Sequence, residues 1–170
     1  MRKIILNLAV SLDGFIEGPN GEYDWCFTDQ DYGMHDLLNN IDVIFFGRKS
    51  YELLLAYDSN PYPEKQKYVF SRTLKSAGGN TQIIADDIKN KVTAIKNEPG
   101  KTIWLFGGAD LAATFIRAGL LDELQLSIHP VLLGQGKPLF KDIAERKYLK
   151  LTGSQTYDTG LVQVFYDINR

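Results

Sequence analysis

Short, mostly apolar runs, each followed closely by glycine, serine or aspartate, determine the architecture that this chain can adopt. They cover residues 3–10, 43–46, 67–70, 82–85 and 102–106, and most are rich in β-branched and aromatic side chains. Strands that are apolar on both faces are typical of a largely parallel sheet covered by helices on each side. Helical spacing of apolar residues occurs between them, over residues 32–40, 49–57, 87–97 and 109–118. We therefore predict an α/β fold.

The last third of the chain has a different pattern. Residues 124–128 and 149–152 alternate between leucine or isoleucine and polar side chains, which is typical of strands with one solvated face. Residues 161–168 form a further strand candidate after a turn at 158–160. We expect an antiparallel C-terminal meander that completes a mixed sheet, with residues 1–170 forming one domain.

The composition excludes several classes of function. A net charge of −2 does not suit a general polyanion binder, so any anion site must be local. One cysteine and two histidines provide neither a disulfide framework nor a Cys/His zinc site. The apolar runs are too short for a signal peptide or a membrane helix. We expect a cytoplasmic protein that binds no metal, nucleic acid or membrane.

Three strand-to-helix junctions carry the candidate chemistry, and the first spans residues 47–52. Gly47 follows a buried strand, and Arg48 and Lys49 fall in the first turn of the next helix. Cations there oppose the helix dipole. A bound anion would resolve this conflict, because free N–H groups and two cations meet at one point. Solvated surface charges are the alternative interpretation.

The second and third junctions have features that suit phosphate. Gly107 and Gly108 separate a buried strand from a helix at Ala109, so the backbone there can approach a ligand closely or simply form a tight turn. Ser71 and Arg72 end another strand, where they either bind phosphate or remain a surface pair. Ligands of open α/β sheets bind beyond the carboxyl ends of strands. The three junctions thus predict one crevice for a nucleotide with several phosphates.

Several segments resemble motifs of the dihydrofolate reductase superfamily, in the same order along the chain. They are residues 9–16 (AVSLDGFI), 47–52 (GRKSYE), 71–72 (SR), 106–109 (FGGA) and 121–136, which run from LDEL to LGQG. The resemblance is closest to the C-terminal reductase domain of RibD, the bifunctional deaminase-reductase of riboflavin synthesis, and it covers nearly the whole chain. It implies a three-layer sandwich with a mixed, mostly parallel sheet of about eight strands.

The resemblance also implies NADPH as the hydride donor and assembly as a homodimer. The residues that it assigns to cofactor binding are Ala9, Gly47, Arg48, Lys49, Ser50, Ser71, Arg72, Gly107, Gly108 and Ala109. Of these, Ser71 and Arg72 would hold the adenosine 2′-phosphate, and Ala9 would lie near the nicotinamide. The glycines would lie beside the phosphates.

Hydride transfer needs little covalent chemistry from a protein, but a proton must still reach the product. Asp13 and Asp31 are the candidate catalytic acids. For Asp13 the alternative is a turn residue before Gly14, and for Asp31 it is a helix N-cap or a solvated acid. Trp25 and Asp31 are candidate substrate-binding residues, although Trp25 equally suits a role in covering the core. Cys26 has no base near it in sequence, so we do not expect a nucleophile there.

We therefore predict an NADPH-dependent reductase of a small heterocycle. The resemblance implies either a pterin or dihydrofolate-like substrate or the ribosylaminopyrimidine of riboflavin synthesis, 5-amino-6-(5-phosphoribosylamino)uracil. One alternative is a nucleotide-binding protein of the same fold without turnover. A weaker alternative is a structural dimer that binds nothing, in which Arg48, Lys49 and Arg72 would point to different regions of solvent.

Overall fold

The computed structural model describes residues 1–169 of the protein. Its strands are β1 (Ile4–Ser11), β2 (Phe15–Glu17), β3 (Ile41–Gly47), β4 (Gln66–Phe70), β5 (Thr81–Ile84), β6 (Thr102–Gly107), β7 (Glu123–His129), β8 (Lys137–Pro138), β9 (Leu149–Thr156) and β10 (Val162–Ile168). Its helices are α1 (Met34–Asn40), α2 (Arg48–Leu55), α3 (Ile88–Asn97) and α4 (Ala109–Arg117). None of these helices is long and apolar enough to cross a membrane.

An eight-stranded sheet organises the fold, in the order β5-β4-β3-β6-β1-β7-β10-β9. The strands from β5 to β7 are parallel to their neighbours, whereas β10 pairs antiparallel with both β7 and β9. The predicted α/β class, the mixed sheet and the antiparallel C-terminal strands are confirmed. The sequence pattern did not reveal the ribbon of β2 and β8, because strands of three and two residues show no periodicity.

The central strands are apolar on both faces because each face of the sheet carries its own core. In β3, Phe45 packs with Phe115 of α4 on one face, with ring centroids 5.8 Å apart. Its neighbour Phe46 packs on the other face beside Tyr51 of α2, at 5.9 Å. All four rings are almost fully buried. Because β3 is parallel to its neighbours β4 and β6, the carboxyl ends of these strands lie at one edge of the sheet.

Helix α1 begins later than the apolar spacing predicts. Tyr32 and Gly33 have φ angles of 47° and 77°, and two successive left-handed residues cannot continue a right-handed helix. The carboxylate of Asp31 accepts the N–H of His35 at 3.0 Å. The residues before α1 therefore form a turn that Asp31 closes.

A buried histidine holds the segment that leads into this turn. The Nδ1–H of His129 donates to the carbonyl of Ser127 at 3.0 Å, and its Nε2 accepts the N–H of Phe27 at 3.1 Å. The rings of Trp25 and Phe27 contact the imidazole edge-on at 5.3 and 5.0 Å. Burial lowers the pKa of His129, so the neutral ring with this tautomer is the form that fits.

A buried lysine holds the loop between α2 and β4. The side chain of Lys67 is 1% exposed, and its ammonium donates to Asn60 Oδ1 and to the carbonyls of Pro61 and Tyr62, each at 3.1 Å. Burial lowers the pKa of Lys67. These bonds hold the Tyr62 ring 5.7 Å from that of Trp104.

Replacing Lys67 by methionine should lower the free energy of unfolding by about 2–4 kcal/mol, because three oxygen acceptors of the loop lose a charged donor. The exposed Lys75 provides the matched control, and Lys75→Met should change stability by about 0.5 kcal/mol or less. Urea denaturation measures both. Equal stability of the two variants would contradict the role of Lys67.

Acidification should destabilise the protein partly through His129. Its folded pKa is lowered, so the unfolded chain takes up a proton first, and this contribution to stability is lost as pH falls through the unfolded value of about 6.5. Urea denaturation from about pH 8 to about pH 5 should therefore show a weaker pH dependence in His129→Gln than in the wild type. His35→Gln, at an exposed histidine, should keep the wild-type dependence. The same pH dependence of the free energy of unfolding in all three proteins would show that His129 does not stabilise the fold in this way.

Candidate functional site

A cleft of about 1240 Å³ lies along the carboxyl ends of the parallel strands. β3 lies between β4 and β6 in the sheet, so the three predicted junctions meet at neighbouring strand ends. The predicted residues that line this cleft are Ala9, Asp31, Gly47, Arg48, Lys49, Ser50, Ser71, Arg72 and Gly108. Within residues 1–169, no group of three or more acidic, histidine or cysteine side chains is arranged to hold a metal ion.

Two of the junctions touch each other through their backbones. A Cβ atom on Gly47 would lie 3.2 Å from the carbonyl oxygen of Gly107, and one on Gly107 would lie 3.4 Å from Leu8. Gly107 and Gly108 have φ angles of 121° and 96°, which side chains disfavour. The Ser50 hydroxyl is 3.4 Å from the same Gly107 carbonyl. The glycines are therefore needed for close approach as well as for the turn.

Gly107 and Ala109 lie behind the surface of the cleft. Both are buried, and Ala109 begins α4 with no exposed surface. Their contribution is to let the backbone around Gly108 reach the cleft, where its N–H belongs to the first turn of α4. This turn supplies free N–H groups of the kind that bind phosphate.

The charge conflict at the start of α2 is partly resolved within the helix itself. Arg48 Nη1 donates to both carboxylate oxygens of Glu52, one turn later, at 3.0 and 2.8 Å. Arg48 thus has a carboxylate partner of its own, and the bound anion proposed for this junction stays a prediction. Lys49 is exposed on the cleft. All the same, Arg48, Lys49 and Arg72 face one cleft, unlike the separate solvent regions that a purely structural protein predicts.

The end of β4 has a free cation beside an ordered hydroxyl. Ser71 Oγ accepts the N–H groups of Thr73 at 3.2 Å and Leu74 at 2.9 Å. Its proton is still available to donate, and its nearest side-chain oxygen is that of Thr73 at 3.4 Å. Arg72 is exposed and makes no hydrogen bond or ion pair with any residue from 1 to 169. This pair can therefore donate several hydrogen bonds to an anion.

The end of the cleft opposite Arg72 is lined at its base by uncharged polar side chains, which we call the neutral polar floor. Ala9, Ser127 and Gln163 stand side by side on β1, β7 and β10. The buried Gln163 amide donates to Ser127 Oγ at 3.0 Å and to the carbonyl of Tyr32 at 2.7 Å. This fixes the left-handed Tyr32 and the turn that carries Asp31 above the floor.

Sequence analysis missed Ser127 and Gln163. Each is a polar position within a strand that alternates in polarity, where an outward-facing solvated residue is the ordinary expectation. Only the pairing of β7 with β1 and β10 puts both on the cleft. The sequence contained no local signal for them.

Asp31 combines two of the roles considered for it. It lines the cleft and is exposed, and its Oδ1 accepts the N–H of His35 at the start of α1. Its other carboxylate oxygen makes no hydrogen bond with the described residues. Asp31 can therefore cap the helix with one oxygen and meet a ligand with the other.

Asp13 does not line the cleft, and its carboxylate joins the turn after β1 to the loop at residues 133–134. Oδ1 accepts the Ser11 hydroxyl at 2.7 Å and the N–H of Leu133 at 3.1 Å, and Oδ2 accepts the N–H of Gly134 at 2.7 Å. The Ser11 bond, followed by those of Gly134 and Leu133, lowers the pKa of Asp13. An ionised carboxylate with these donors favours the turn role over that of a proton donor.

Trp25 and Cys26 have structural surroundings. The Trp25 ring contacts His129 and does not line the cleft, and its buried Nε1 has no hydrogen-bond partner among residues 1–169. This favours the covering role for Trp25. Cys26 reaches the cleft, but burial, aided by the charge of Asp24, raises the pKa of its thiol to about 11. The thiol stays protonated, so it is a poor nucleophile.

The chain matches known proteins over almost its whole length. The family described as the RibD C-terminal domain matches residues 2–163. The chain is 50% identical over 180 residues to the uncharacterized protein YyaP of Bacillus subtilis (strain 168), covering 99% of this chain and 96% of that protein.

Solved structures share the fold at low sequence identity. A protein of Shewanella sp. PV-4, provisionally named a riboflavin biosynthesis protein, superposes with a TM-score of 0.88 and 23% identity over 99% of each chain. Dihydrofolate reductase of Enterococcus faecalis, complexed with NADP(H), superposes with a TM-score of 0.69 and 15% identity over 99% of this chain and 97% of that one. The chain belongs to the RibD C-terminal domain family and has a dihydrofolate reductase-like fold.

Proposed function

We propose that the protein is an NADPH-dependent reductase that transfers a hydride to a small heterocycle. The convergence of three anion-suited strand ends on one cleft, whose far end has a neutral polar floor, carries this proposal. A dinucleotide is long, and its phosphates and its reactive ring need different surroundings. The cleft offers both kinds of surroundings along one edge of the sheet.

The residues of the cleft fit the phosphates of this cofactor. Arg72 is exposed and has no partner among the described residues, and the Ser71 hydroxyl still has its proton to donate. Both groups suit the 2′-phosphate. Lys49 and the N–H groups at the starts of α2 and α4 suit the pyrophosphate. Glycine at 47 and 107 lets these two strand ends approach each other closely, because a Cβ atom at either position would crowd the Gly107 carbonyl or Leu8. A dihydrofolate reductase of similar fold binds NADP(H), which supports this proposal.

The residues of the chain would then orient the reactants and hold or deliver one proton. When bound, NADPH supplies the hydride. Ala9 has no side chain that would block a flat ring, and Ser127 and Gln163 are positioned beside it. Asp31 is the acid that we assign to the substrate, either holding a ring N–H or delivering a proton. Pterin or dihydrofolate-like compounds and the ribosylaminopyrimidine of riboflavin synthesis are the substrates to compare.

The alternative is a nucleotide-binding protein of the same fold without turnover. The phosphate junctions support both functions equally, because they report on binding alone. Asp31, with an oxygen free to meet a ligand, favours the reductase. Substrate-dependent oxidation of NADPH separates the two functions. The homodimer and the cytoplasmic location remain predictions from sequence.

The cofactor assignment predicts a selective effect of Arg72. By calorimetric titration, Arg72→Ala should bind NADPH about 10–100-fold more weakly, because one charged hydrogen-bonding group contributes about 1.5–3 kcal/mol. Binding of NADH should change little, because NADH lacks the 2′-phosphate. Arg146→Ala, at an exposed arginine that does not line the cleft, should match the wild type. Equal weakening for both nucleotides, or no binding by the wild type, would refute the assignment.

A further inference from the structure

The cleft has one cationic end and one end without cations. Four basic side chains line it within residues 1–169: Arg48, Lys49, Arg72 and Lys137. The first three belong to the strand ends described above. Lys137 pairs with Glu17 at 3.0 Å, and it lies near enough to Asp110, in the first turn of α4, to act on the charge of that residue. All four therefore belong to the cationic end, which we call the phosphate end.

The two ends are far apart. Arg72 follows β4, and Gln163 lies in β10, five strands away in the sheet order. Neighbouring strands are about 4.8 Å apart, so the two positions are separated by roughly 24 Å. This exceeds the screening length of about 8 Å at physiological salt. Arg72 is therefore too far away to stabilise a charged group at the far end. Of the other three cations, Arg48 and Lys137 are paired with Glu52 and Glu17, and Lys49 acts on the charge of Asp110.

The three segments that carry the polar side chains of the far end lack lysine and arginine, and Tyr57, which meets the Tyr23 hydroxyl at 2.7 Å, adds a further hydroxyl. Neither lysine nor arginine occurs in 4–47, 118–136 or 151–169. These segments supply the side chains of the far end, which are Tyr23, Phe27, Gln30, Asp31, Ser127 and Gln163. The far end therefore consists of aromatic, hydroxyl and amide groups with one carboxylate.

The two other groups that could attract an anion there are already engaged. His129 is neutral, with one ring nitrogen donating to Ser127 and the other accepting from Phe27. At the N-terminus of α1, the N–H of His35 donates to the carboxylate of Asp31. The helix end therefore already carries a negative partner, and a second anion would meet repulsion.

We propose that the substrate of this far end is a neutral or cationic planar heterocycle without a phosphate or carboxylate group. This inference depends on the proposed reductase function and narrows its substrate. A phosphate or carboxylate placed there would lose hydration without gaining a cation, next to the charge of Asp31. Aromatic walls and amide and hydroxyl groups suit an uncharged ring with N–H and C=O groups. The phosphoribosylaminouracil and the glutamate-bearing dihydrofolate both fit poorly.

Two matched pairs of compounds test this inference. One pair is 5-amino-6-ribosylaminouracil with and without its 5′-phosphate, and the other is dihydrofolate against dihydrobiopterin, which lacks the glutamate. Affinity for the protein saturated with NADP⁺, and kcat/KM with NADPH, should favour the uncharged member by at least about tenfold, since like charges repel at close range. The preference should shrink at high salt, as screening requires.

A charge variant provides the control. Thr28 is exposed and lines the cleft. Thr28→Lys should reduce the preference for the uncharged member, whereas Thr28→Gln, of similar reach but neutral, should keep it. Equal or stronger binding of the charged members to the wild type would overturn the inference, as would failure of both uncharged members to bind. NADPH titration alone tests the proposed function, so loss of that binding is a separate result.

Discussion

Burial of the central strands on both faces is the constraint on which the rest of the structure depends. Because β3 has an aromatic core on each side, through Phe45 and Phe46, it can lie only inside a sheet that helices cover on both faces. Its neighbours β4 and β6 are parallel to it, so the carboxyl ends of the three strands share one edge. The junctions at Gly47, Ser71 and Gly108 become neighbours as a result. The candidate site is thus a consequence of the hydrophobic pattern.

The meeting of the strand-end residues in one cleft could be predicted because its signals are local. Glycine, cations and hydroxyls directly after an apolar run identify a strand end, and the sheet then brings the strand ends together. The far end could not be predicted in this way. Gln163 reaches the cleft only because β10 pairs with β7, and it holds a turn that is distant in sequence, at Tyr32. Asp13 resembled a site residue, but its role depends on the loop at 133–134.

The two ends of the cleft would have different functions in the proposed reaction. At the cationic end, residues would bind the proposed cofactor by charge and through backbone N–H groups. The far end is uncharged except at Asp31, and its groups are held by buried hydrogen bonds of Gln163 and His129. Such a floor can orient a ring while Asp31 remains available for a proton. In the proposed reductase, selectivity for the cofactor and for the substrate would therefore reside in different strands of one sheet.

A crystal structure of the protein with NADPH would show whether the cleft is the cofactor site. We expect the 2′-phosphate within hydrogen-bonding distance of Ser71 and Arg72, and the pyrophosphate between residues 47–50 and Gly108. The nicotinamide should then lie over Ala9, beside Ser127. A nucleotide bound in the reverse direction, or at a surface away from this cleft, would refute the assignment of the two ends of the cleft.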